Sequence, residues 1–415
     1  MSVNPFKLKP KPITDVYMDW QQISSRPYND KTAHPYTKLR VILANGAEFE
    51  AVKCSHHMFR TIPDNDVRRS LAMIRRSEQQ QQKRISSLKS FSEDILQHTI
   101  GYEQLAVELT AALAKKEPDK YVKKALDFAL LEDFDHLYRY ADLLEMERGI
   151  KAEKLIGKLT EIMPGRPTVS EHRCPQDDVK KFTNFTQAAL ATKLNVGIIT
   201  AAEQQTMNYY MNVGIFYENK LGRDLYAEIA QIEEQHVSLY GSLLDASATP
   251  FENLLLHEYT ECYLYYSLFM DETDGYIKNV FEQCFEQEVA HLHEAAKLLL
   301  DYEKKSYEQV VGNGDFPELL VFDDSVGYVR KVLAQTGELT GNKEEYINVR
   351  DLDGESNFAA YQHKVNDNLK SVASHRVIEK YISDNGKDYR YEKMPHPIEQ
   401  LADRRQDNTS YARII

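Results

Sequence analysis

In the stretch Ile229–Leu244, IAQIEEQHVSLYGSLL, the apolar residues Ile229, Val237, Tyr240 and Leu244 share one helical face with Glu233 and His236. Residues three apart on a helix lie side by side, so this acid and this imidazole can reach one metal ion. Charged groups on a core-facing stripe need such a reason. A single pair is weak, because an exposed acid near an unrelated histidine is common on helix surfaces.

The arrangement recurs. Glu203 precedes Glu233 by 30 residues, and the same spacing links Glu103 to Asp133 and His136, and Glu258 to Glu288 and His291. If each triplet spans an antiparallel helical hairpin, its turn must fall midway. The midpoints read KKEPDK (Lys115–Lys120), ENKLGRD (Glu218–Asp224) and DETDG (Asp271–Gly275), each holding a proline or glycine. Three hairpins are therefore expected, over about Phe91–Arg148, Lys181–Leu244 and from Pro250 to about Glu303.

The rest of the chain has weaker patterns. Residues 1–35 read as an extended arm, and 36–53 as a small β-hairpin turning at Asn45 and Gly46. Asp64 to about Leu88, with the run Gln79–Gln82, reads as a polar, solvated helix. Gly149 to about Lys180 is a long connection rich in proline. Beyond Gly312, FPELLVF (Phe316–Phe322) and a helix around Gly327–Gln335 suggest a small appended unit, and the polar end RRQDNTSYARII an arm. The expected division is 1–88 for arm, β-hairpin and helix, 89–246 for a four-helix bundle, 247–305 for a third hairpin and 306–415 for an irregular C-terminal extension. The fold class is all-α.

With 415 residues the chain can bury a sizeable core. Its net charge of −13, with no offsetting basic stripe, argues against a nucleic-acid partner. The four cysteines form no C-x-x-C pair, which excludes a rubredoxin-type knuckle; Cys262 and Cys284 read as small buried hydrophobes. No secretory h-region and no run of 18 apolar residues is seen, so a cytoplasmic protein without a membrane span is expected.

Carboxylates that balance and bridge two cations, with one imidazole for each, suit iron or manganese better than zinc. Four-helix di-metal proteins supply one Glu from each of two helices and Glu-x-x-His from the other two. Glu103, Asp133, His136, Glu203, Glu233 and His236 thus resemble the ligand set of the ferritin-like di-metal carboxylate superfamily, most like its rubrerythrin and manganese-catalase branches, over about residues 90–305. The resemblance implies a di-iron (alternatively di-manganese) centre acting on oxygen or peroxide, with an external electron donor because the rubredoxin domain is missing. Asp133 stands where the family uses Glu, and Glu132 beside it is an alternative ligand. Tyr259, Tyr263, Tyr265 and Tyr266 read as aromatic packing, with electron relay the lesser alternative.

The connection 149–180 can cross a bundle at up to about 3.3 Å per residue, whereas Ala246–Pro250 cannot. The first two hairpins are therefore expected to share a site. The third, with Glu258, Glu288 and His291 and a further acid at Glu261, would pair with the first or with its mate in a homodimer. Two other readings stay open at this level: an iron-handling protein without an organic substrate, and a helical scaffold without catalysis.

Overall fold

A computed structural model describes residues 3–157, 159–162, 173–184, 186–365 and 372–386. Eight helices of 22 to 29 residues dominate it. They are α1 (Pro35–Thr61), α2 (Asn65–Ser86), α3 (Ile95–Lys116), α4 (Lys120–Arg148), α5 (Leu190–Val213), α6 (Lys220–Leu243), α7 (Pro250–Asp271) and α8 (Gly275–Leu298). The six helices of the three expected hairpins all form, and α3–α4 and α7–α8 pack as antiparallel pairs. Their boundaries follow from capping chemistry. Asp94 with Gln97 and Thr249 with Glu252 make capping boxes, and Asp64, Asp119 and Asp274 each accept two backbone N–H groups at a helix start. Gly149 ends α4 in the left-handed conformation, φ 64°.

The expected β-hairpin over 36–53 is overturned, because those residues lie inside α1. Pro35 in the first turn and the His34 ring, which accepts the Tyr36 N–H, start a helix. The β-branched run then finds helical partners, with Leu39, Val41, Ile42 and Leu43 all buried, so packing overrides strand propensity. Asn45 and Gly46 sit mid-helix instead of in a turn. A Cβ at Gly46 would come within 2.8 Å of Gln205 Nε2, so the Gln205 amide packs against the glycine. The solvated reading of α2 also fails in part: Ser77, Glu78 and Gln81 are buried. With α1, α2 makes a fourth hairpin.

The chain divides into two compact units that are discontinuous in sequence. Unit 1 comprises Met1–Ser92, Phe182–Gln205 and Leu244–Phe322; unit 2 comprises Glu93–Lys181, Thr206–Leu243 and Asp323–Ile415. Within unit 1 the hairpins α1–α2 and α7–α8 pack together, α1 on α7 and α2 on α8. Within unit 2, α3 pairs with α4, and α4 packs against α6 around Leu96, Ile100, Val107, Leu130, Phe134 and Ile229.

The C-terminal part contains α9 (Val326–Thr336), where a helix was expected, then β1 (Leu339–Asn342) antiparallel to β2 (Glu345–Asn348), α10 (Asn357–Val365) and α11 (Ala373–Asn385). α9 packs on α3 and α4, and α11 on α4 and α6. Phe316–Phe322 carries no regular element and belongs to unit 1, where Phe316 packs against the rings of Tyr259, Tyr263 and Tyr266. The terminal RRQDNTSYARII lies outside the described residues. Among the described residues no helix is long and apolar enough to cross a membrane.

Candidate metal centres

In unit 2 the facing sides of α3, α4 and α6 bring Glu103, Asp133, His136, Glu233 and His236 together, all buried. His136 Nδ1 lies 2.9 Å from Glu233 Oε1 and 3.9 Å from Glu103 Oε2. His236 Nδ1 lies 3.3 Å from Asp133 Oδ1 and 3.5 Å from Glu233 Oε2. Glu233 thus stands between the two imidazoles. Glu103, His136 and Glu233 offer ligand atoms within 4.8 Å of one another, close enough to converge on an ion.

The surroundings orient these groups. His236 Nε2 bonds Glu132 Oε2 at 2.9 Å, which directs Nδ1 toward Asp133 and Glu233. Glu132 is held in turn by Arg173, whose Nε also donates to Asp178 at 2.6 Å. A carboxylate behind a ligating imidazole fixes its tautomer and ring angle. Glu132, weighed above as a substitute ligand, therefore sits behind His236. Thr110 donates to Asp133 Oδ2 at 3.2 Å, and Tyr210 donates to Glu103.

Burial opposes ionisation of Glu132, yet Arg173 and His236 outweigh it and hold its pKa below the usual range. Burial likewise opposes ionisation of Glu233, and the His136 hydrogen bond together with the nearby His236 imidazole overcomes it, so Glu233 stays ionised. For Asp133 burial wins and its pKa rises. Glu203 is buried on α5, in the part of that helix belonging to unit 1. It lies two turns before Tyr210 on the same helical face.

Unit 1 holds a second cluster. Glu48 from α1, Glu78 and Gln81 from α2, Glu258 and Glu261 from α7, and Glu288 and His291 from α8 are all buried. Gln81 Nε2 donates to Glu288 Oε1 at 2.5 Å, His291 Nδ1 lies 3.0 Å from Glu288 Oε2, and Tyr265 donates to Glu48. Three sets of ligand atoms gather within 4.8 Å: Glu78, Glu258 and His291; Glu78, His257 and Glu261; and Glu258, Glu261 and Glu288.

Several of these atoms have no hydrogen-bond partner among the described residues: Glu48 Oε2, Glu78 Oε2, Glu258 Oε2, both oxygens of Glu261, and His291 Nε2. Orphaned buried carboxylates demand a proton or a cation. Burial, reinforced by the neighbouring acids, pushes Glu48, Glu258 and Glu261 well above the usual range. Burial pushes Glu78 up to about 7 against the pull of His291. His257, lowered to about 4 mainly by burial, is neutral at ordinary pH.

Of the expected ligands, Glu103, Asp133, His136, Glu233 and His236 come together in unit 2, and Glu258, Glu288 and His291 in unit 1. Within unit 1 the third hairpin packs with α1–α2, a partner that was not among those expected. Glu48, Glu78, Gln81, His257 and Arg173 escaped sequence reasoning. For three of them a signal exists: Glu48, Glu78 and Gln81 carry the same 30- and 3-residue spacing, with Gln in place of His. Glu48 also precedes Glu103 by 55 residues, as Glu203 precedes Glu258. No family model, curated protein or solved structure matches the chain.

Proposed function

We propose that the protein is a ferritin-like di-metal carboxylate oxidoreductase acting on oxygen or peroxide, with iron, alternatively manganese, bound in each unit. The observation that carries this reading is the convergence of carboxylate oxygens and imidazole nitrogens inside both units, to within 4.8 Å. In unit 2 the ligands are Glu103, Asp133, His136, Glu233 and His236. Glu203, on the face of α5 that carries Tyr210, is assigned as the remaining carboxylate. In unit 1 they are Glu48, Glu78, Glu258, Glu261, Glu288 and His291.

Bound iron or manganese would supply one-electron chemistry toward oxygen or peroxide. The chain's own groups then have separable tasks. Glu233, between two imidazoles, would help hold the metal. The Arg173–Glu132 pair holds His236 with Nδ1 toward the ligand set and keeps its other nitrogen engaged. Tyr210, hydrogen-bonded to Glu103, positions that carboxylate and can hold a proton at its hydroxyl. If the reaction reduces oxygen without oxidising a second substrate, an external donor would supply the electrons, because the four cysteines form no C-x-x-C pair.

The test is the near-ultraviolet and visible spectrum of anaerobically iron-loaded protein before and after peroxide. An oxidant-dependent band lost in Glu233→Ala is the expected result. Bound metal with a spectrum indifferent to oxidant would overturn the oxidoreductase reading.

A further inference from the structure

Beside the unit 1 cluster lies a cavity of about 370 Å³, formed by α1, the unit 1 part of α5, and α7. That volume lies within the range of small-molecule sites. Its walls are mostly apolar and include Leu43, Ala47, Met58, Ile198, Leu256 and Leu264. Among the charged groups along the walls, Lys193 and Asp245 are hydrogen-bonded, and Glu50 is ion-paired but has no hydrogen bond at Oε2 among the described residues. Lys193 donates to the Val310 carbonyl at 2.8 Å, Asp245 accepts from Ser247, and Glu50 faces Lys53 at 3.6 Å.

The lining also includes His257 and Glu261, where the cavity meets the cluster. His257 Nε2 stands 3.7 Å from Glu261 Oε1, and neither that nitrogen nor either oxygen of Glu261 has a hydrogen-bond partner among the described residues. Glu261 is 2 % exposed, so its oxygens find no compensation in bulk water. An apolar chamber that meets unpartnered buried polar atoms selects a ligand with an apolar body and one hydroxyl, which can donate or accept. Lys193 on the wall is already engaged, so a carboxylate-bearing ligand would bury an uncompensated charge.

We propose that this cavity binds a neutral organic molecule, an alcohol or phenol with an apolar body, and presents its hydroxyl to Glu261 and His257 at the edge of the unit 1 metal cluster. The inference deepens the oxidoreductase reading by giving it a class of organic substrate. Binding itself needs no metal, so the two can fail separately.

Gly197 lines the cavity, and a Cβ there would meet nothing nearer than Thr260 Cγ2 at 3.8 Å. A large side chain at this position therefore extends into the chamber without displacing backbone. The experiment is calorimetric titration of the full chain with 1-octanol and with octanoate, with metal content measured on the same samples. Saturable binding of 1-octanol, at least tenfold weaker binding of octanoate, and at least tenfold loss in Gly197→Phe are expected. Ala201→Phe, one turn along the same face, replaces Gly197→Phe if that variant loses helix content.

Failure of 1-octanol to bind, octanoate binding as tightly, or filled variants of native helix content binding like wild type would overturn the inference. Metal present without 1-octanol binding sinks the cavity assignment alone. Binding of 1-octanol by protein that takes up no metal sinks the metal reading and leaves the cavity as a ligand site.

Discussion

Glu78 shows how one buried residue reports on the proposed centre. In metal-free protein its pKa is raised from 4.5 to about 7, chiefly by burial. A carboxyl raised on folding contributes stability fully present below its unfolded pKa and lost as pH rises through its folded one. Metal-free protein should therefore lose stability between about pH 5 and pH 8, by on the order of 3 kcal/mol from this residue. Glu78→Gln should flatten the decline, and saturating manganese should remove it by favouring the ionised form. Urea denaturation across that range checks this; metal-free wild type equally stable at both ends would contradict the burial argument. The same residue shows why part of the site escaped sequence reasoning. Glu78 and Gln81 lie in a run of glutamines and basic residues, whose composition looks solvated, and Gln81 breaks the Glu-x-x-His signal.

At the scale of elements, the hairpins from 91 onward were legible because ligand spacing and turn chemistry agreed: Pro118, Gly222 and Gly275 stand at or beside the breaks. The second turn is displaced, since α5 ends at Val213 and α6 begins at Lys220, leaving Gly222 inside the helix. Packing explains that position. A Cβ on Gly222 would lie 2.1 Å from Tyr217 Cε1, whereas one on Gly241, near the end of the same helix, meets nothing within 4 Å. Gly222→Ala should destabilise the protein by about 1–3 kcal/mol through overpacking. Gly241→Ala should stabilise it by up to about 1 kcal/mol through helix propensity. Thermal denaturation of the two variants checks the contrast, and similar effects would show that Tyr217 yields freely. For α1 no local signal separates helix from strand. Its run of Val, Ile and Leu followed by Asn-Gly satisfies a β-hairpin, and only burial against the other unit 1 helices favours the helix.

For the whole molecule, the separation of helices along the chain hid the architecture. α1–α2 and α7–α8 are separated by 163 residues, 87–249, yet together enclose one cluster, while the intervening hairpin α3–α4 builds the other with α6. Linker length offers the third hairpin only the first hairpin or a homodimer mate, because residues 36–88 read as a ribbon and a solvated helix. Once Glu48, Glu78 and Gln81 join the series, all four hairpins carry one spacing and fall into an inner and an outer pair. Arg173 adds a further lesson. It lies in a connection without periodicity, and only folding brings it onto Glu132 behind His236.

The central claim is that one chain holds two separate metal centres. Metal analysis per chain after anaerobic loading with iron or manganese tests it most directly, in wild type, in His136→Ala/His236→Ala and in Glu258→Ala/His291→Ala. The account predicts about four ions in wild type and about two in each double variant, two for each centre. Wild-type protein that takes up no stoichiometric metal, or either double variant losing every ion, would contradict it.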